Sequence, residues 1–66
     1  MNIIVNGESM SLEREMTIAD LLEHLGRTGQ SIALAVNMEF VPHSAYASAR
    51  LKDGDEIEIV EPRQGG

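Results

Sequence analysis

Two glycines close the chain, Gly65-Gly66, after a stretch with nothing to bury. Beyond the last apolar residue, Val60, the chain reads Glu61-Pro62-Arg63-Gln64-Gly65-Gly66. Such polar, glycine-ended termini stay mobile unless something ties them down. Fully extended, six residues reach roughly 20 Å at ~3.3 Å each. Glycine has no Cβ, so its backbone can pass close to the catalytic groups of another protein. The chemistry this arrangement could do is acyl chemistry at the Gly66 carboxylate. Gly65, Gln64 and Arg63 would thread the channel of the partner that performs it.

The other candidates for chemistry are weaker. There is no cysteine, hence no disulfide, no thiolate nucleophile and no thiolate zinc ligand. His24 falls on the polar side of a predicted helix and His43 follows Pro42. Neither has an acidic or thiol partner at metal-ligand spacing, so both read as surface histidines and no metal is expected. Asp53 and Asp55 lack the rest of a twelve-residue calcium loop and read as a turn. The four methionines read as core or edge filler. No nucleophile–base pair and no phosphate-binding glycine loop stands out, so the chain is not expected to be an enzyme or to hold a cofactor.

The elements that must position the Gly66 carboxylate can be read in order. Asn2 to Asn6 (NIIVN) alternates as a strand, with Ile3 and Val5 on one face and Ile4 on the other. Asn6-Gly7 is the signature of a type I′ hairpin turn, which needs positive φ at both centres. A second strand follows from about Glu8 to Leu12, with Met10 and Leu12 inward. Thr17 is a good helix N-cap, Asp20 completes a capping box, and Met16 stands where a hydrophobic staple would pack on Leu21. Ile18, Leu21, Leu22 and Leu25 form one buried stripe, and Gly26 sits where a left-handed residue ends the helix. Arg27 to Gln30 is a loop.

Ile32, Leu34 and Val36 then alternate as a third strand. Asn37-Met38-Glu39 is a turn into a short strand around Phe40-Val41, and Pro42 ends pairing. Ser44 to Ala49 has the composition of one short helical turn. Lys52 to Asp55 is a tight turn, and Glu56 to Val60 is the last strand, with Ile57 and Ile59 inward. A helix with one buried stripe must lie across one face of a sheet, which gives a two-layer α+β domain over residues 1–60 and a flexible tail over 61–66. Alternation leaves Ile4 and Val60 on the face away from the helix, near Ala35 and Phe40. Ile4, Phe40 and Val60 are therefore the candidate partner-docking face.

Bulk properties narrow the setting. Sixty-six residues make one small domain whose core rests on packing alone. Eleven acidic side chains against five basic ones give a net charge of −6. That field repels phosphate backbones, so no nucleic-acid partner is expected. It steers toward basic protein surfaces and also serves solubility. No apolar run approaches the roughly 18 residues of a membrane span. Met1-Asn2 leads directly into an apolar strand with no basic n-region or cleavage site. The expectation is a cytoplasmic chain, monomeric when free.

The strand–strand–helix–strand–strand order, with an Asp53-Gly54-Asp55 turn before the last strand and a terminal Gly-Gly, resembles the ubiquitin-like β-grasp fold. More narrowly, Ala33 to Pro42 (ALAVNMEFVP), Arg50 to Val60 (RLKDGDEIEIV) and Gly65-Gly66 resemble the sulfur carriers of thiamin thiazole biosynthesis. The resemblance covers essentially the whole chain. His43 departs from it where arginine often follows this proline, and Gln64 where many members carry another small residue.

The resemblance implies a mixed sheet with one main helix across one face. It also implies a cycle at Gly66 in which AMP and then sulfur are transiently attached. An ATP-dependent adenylyltransferase would activate the carboxylate, a persulfide donor such as a cysteine desulfurase would supply sulfur, and a thiazole synthase would consume it. Arg63 would pair with a carboxylate on the activating enzyme or offset charge near the AMP phosphate, or remain a solvated cation. Two relatives of this chemistry share the terminus: the small thiocarboxylate-bearing subunit of molybdopterin synthase, and protein modifiers that form isopeptide bonds. Chain length and the Val36-Asn37…Val41-Pro42 stretch favour the carrier of thiazole biosynthesis.

Overall fold

The structure, a computed structural model, describes residues 1–27 and 32–61. The expected flexible tail therefore lies outside the described residues, except for Glu61. The elements are β1 (Asn2–Val5), β2 (Glu8–Ser11), α1 (Ile18–His24), β3 (Ala33–Val36), β4 (Glu39–Val41), a 3-10 turn (His43–Ala45) and β5 (Glu56–Val60). They form one five-stranded sheet in the order β2-β1-β5-β3-β4. The sheet is mixed: β1 runs parallel to β5, and the β1–β2, β3–β4 and β3–β5 pairs are antiparallel.

The helix forms as its sequence predicts. Thr17 Oγ1 accepts from the Asp20 amide at 3.1 Å, and Asp20 Oδ2 accepts from the Thr17 amide at 3.3 Å. The other two free amides of the first turn also find partners, Ile18 donating to Ala49 O and Ala19 to Tyr46 O, and Leu21 starts the helical ladder on Thr17 O. At the other end Gly26 has φ +72. Its amide donates to Glu23 O and that of Arg27 to Leu22 O, the paired bonds of a Schellman cap.

Ile18, Leu21 and Leu22 bury against Ile3, Leu34, Ile57 and Ile59 of the sheet, with Leu12, Met16, Ile32 and Leu51 completing the core. Leu25, the last residue of the predicted stripe, is the helix C-cap and packs half-buried against the core. Leu51 is a core residue that periodicity does not reveal, since it lies outside any strand or helix. The short helix expected over Ser44 to Ala49 forms earlier, at His43–Ala45, directly after Pro42, whose fixed φ starts the turn. Among the described residues no helix is long and apolar enough to cross a membrane.

Candidate functional site: the outer sheet face and the root of the C-terminal segment

The strand that leads to Gly66, β5, is the central strand of the sheet, paired with β1 on one side and β3 on the other. Where β1 ends, the Asn6 side chain continues its ladder: Oδ1 accepts from the Ile59 amide at 2.8 Å and Nδ2 donates to Ile59 O at 3.3 Å. On the other side Asn37 Oδ1 accepts from the Glu56 amide at 3.0 Å, while the Asn37 amide donates to Glu56 O at 2.7 Å. Just past β5, Glu61 meets Arg27 Nη1 at 3.2 Å, joining the loop after the helix to the start of the terminal segment. The end of β5 is thus held from both sides.

The residues that carried the family resemblance hold the start of β5, at the end of the strand away from the root of the terminal segment. Asp55, buried to 9% exposure, accepts from Asn37 Nδ2 at 3.0 Å and from the Lys52 amide at 2.8 Å. Asp53 Oδ1 accepts from the Asn2 amide at 2.7 Å. These oxygens are occupied in shaping the turn, as the sequence reading expected. His43, exposed, sets its Nε2 against Ile32 O, to which Tyr46 Oη also donates at 3.5 Å. Burial pushes the Tyr46 hydroxyl pKa above its ordinary value of 10.0. His43 is thus a surface residue with a structural contact, fastening the start of β3.

Ile4, Phe40 and Val60 all lie on the sheet face away from the helix, but not as one patch. Register pairs Ile4 with Glu56, whereas Val60 pairs with Ala33 and Phe40 with Ala35. Glu56 and Val60 are four residues apart, about 13 Å along the strand. The acidic Glu58 therefore stands between Val60 and the row that Ile4 shares with Glu56. Near the root is Val60, 60% exposed, while Phe40, 68% exposed, stands two strands away in the row of Ala35 and Glu58, midway along β5. Far from it are Ile4, half-buried, and Met38, at the edges of a shallow depression of about 250 Å³ that Gly7, Glu56 and Glu58 also line.

Met38 corrects the expectation that the methionines are filler. Met16 is core and Met1 and Met10 pack against it, but Met38 is 91% exposed. Hydropathy does not distinguish it, because it counts a methionine as apolar wherever it falls. The signal available was its place at the second centre of a turn with positive φ at both centres, beyond the strands that could cover it. Arg63, Gln64, Gly65 and Gly66 lie outside the described residues.

The ThiS family model matches residues 3–66, from the first strand through Gly65-Gly66. The chain belongs to the ThiS family. It is 33% identical to the sulfur carrier protein ThiS of Escherichia coli over 66 residues, the full length of both. It is 39% identical to a thiazole synthase of Paramagnetospirillum magneticum, spanning all of this chain but only 20% of that protein. A crystal structure of the thiamine biosynthesis protein ThiS from Geobacter metallireducens superposes over the whole of both chains with a TM-score of 0.87 at 26% identity. The ThiS-family assignment confirms the β-grasp fold expected from the element order.

Proposed function

We propose that this chain is the sulfur carrier of thiazole formation in thiamin biosynthesis, a protein co-substrate and not a catalyst. The observation that carries the reading is the ThiS-family match over residues 3–66, which includes the reacting terminus. The geometry supports it: β5, paired on both sides, ends six residues before Gly66. A partner can thus hold the domain and draw the carboxylate into its active site.

The chemistry follows from the poor reactivity of a carboxylate. Attack of Gly66 on the α-phosphorus of ATP releases pyrophosphate and turns the carboxylate oxygen into a leaving group, AMP. The terminal sulfur of a persulfide donor expels AMP, and cleavage of the remaining sulfur–sulfur bond by a thiol leaves a thiocarboxylate. None of these steps needs a thiol on this chain, which has none. An ATP-dependent adenylyltransferase, a persulfide source and a thiazole synthase are the implied partners, in a cytoplasmic setting.

For the thiazole synthase there is additional support. The chain resembles a stretch equal to 20% of the thiazole synthases of Paramagnetospirillum magneticum and Magnetococcus marinus. A carrier-like stretch within a synthase chain raises the effective concentration of one for the other. No observation favours a molybdopterin-synthase subunit or a protein modifier.

Deleting Gly66, or extending the chain past it, should abolish ATP–pyrophosphate exchange with the activating enzyme and leave the denaturation midpoint unchanged. Normal exchange by the Gly66-deleted chain would overturn the reading.

A further inference from the structure

We propose that Met38 is the contact by which the adenylating enzyme selects this chain, seated in an apolar socket flanked by basic side chains on that enzyme. The inference rests on the carrier reading above. Terminal chemistry cannot supply selection, because any chain ending in Gly-Gly offers the same carboxylate. Discrimination must then be read from the folded domain, and the adenylating enzyme is the first to choose. A standard interface buries about 800 Å² per partner, more than a thin glycine-ended segment supplies. The face under the helix is closed, and the exposed large apolar side chains, Met38, Phe40 and Val60, stand on the outer sheet face and the turn at its edge.

At that turn Met38 is out of place for a residue selected by folding alone. Its φ is +69, and among the described residues it is the only one at positive φ that is neither glycine nor asparagine. At 91% exposure it buries almost nothing in exchange. Backbone strain of this kind gathers where a side chain serves binding. Its neighbours set the chemistry of the socket. The depression beside it is walled by Ile4 and by Glu56 and Glu58, so a complementary surface is apolar at its centre and basic at its rim. An unbranched thioether is well suited to fill such a socket.

The test measures ATP–pyrophosphate exchange by the purified thiamin-pathway adenylyltransferase of the same organism, with the full chain varied in concentration. Denaturation curves are recorded alongside. Met38→Gly should keep or raise the unfolding midpoint, while kcat/KM falls roughly tenfold through KM, the loss expected for one buried apolar side chain. Met38→Leu should restore most of kcat/KM. A purely structural role would move the midpoint and the kinetics together. Wild-type kcat/KM for Met38→Gly, a lowered midpoint in that variant, or no rescue by leucine would each overturn the proposal. Failure of the wild-type chain to support exchange at all would instead overturn the carrier reading beneath it.

Discussion

The two hairpin turns of this molecule have the same backbone but not the same residues. At β1–β2 the centres are Asn6 and Gly7, at φ +50 and +85; at β3–β4 they are Asn37 and Met38, at +52 and +69. Each asparagine turns its amide onto β5, Asn6 onto Ile59 and Asn37 onto Glu56. The first positions are thus equivalent, and both serve the strand that leads to Gly66. The second positions differ. Gly7 is the residue that left-handed backbone favours, and Met38 is one it resists. Comparing them separates what the fold requires from what the surface adds.

The largest effect expected lies beneath both turns. Leu21 has 0% exposure, and Leu21→Ala should cost about 2–5 kcal/mol, enough to unfold much of a domain this small. Urea denaturation followed by circular dichroism would show it, and a wild-type midpoint would mean that the helix does not brace the sheet.

Next come the asparagines, changed to glycine so that the backbone is not strained. Asn37→Gly and Asn6→Gly should each cost about 1–3 kcal/mol, with the Asn37 variant worse, because it also takes a donor from the buried Asp55 carboxylate. Equal losses would remove Asp55 from the explanation. The smallest effect belongs to the reciprocal exchange at the second position. A Cβ at Gly7 meets nothing within 4 Å, so Gly7→Met should cost only the backbone term, about 1–2 kcal/mol. A neutral Gly7→Met would show that this turn tolerates side chains freely, and would dissolve the contrast with Met38.

The same comparison shows what the sequence made legible. Asn6-Gly7, the Thr17–Asp20 box, Gly26 and the alternation of Ile57 and Ile59 are local signals, each with a mechanism within a few residues, and each formed as read. What was not legible depended on register. Ile4 and Val60 share a face by alternation, but only the pairing of Ile4 with Glu56 and of Val60 with Ala33 shows that the acidic Glu58 stands between them. Leu51 is buried by the chain around it and not by any periodic pattern. Met38 is exposed for the opposite reason, since its turn lies beyond the strands that could cover it. The proposed reactive end lies outside the described residues and is read from residue type alone, because the chemistry proposed for Gly65-Gly66 needs a thin arm and no pocket on this chain.

The central claim is that Gly66 receives sulfur while the domain behind it only presents the terminus. Intact-mass measurement tests this most directly, on the chain incubated with the adenylyltransferase, ATP, a cysteine desulfurase and cysteine. The account predicts a gain equal to one sulfur-for-oxygen exchange, located at Gly66 by fragmentation and absent without ATP. An unchanged mass with active partners, or sulfur found on any other residue, would contradict it.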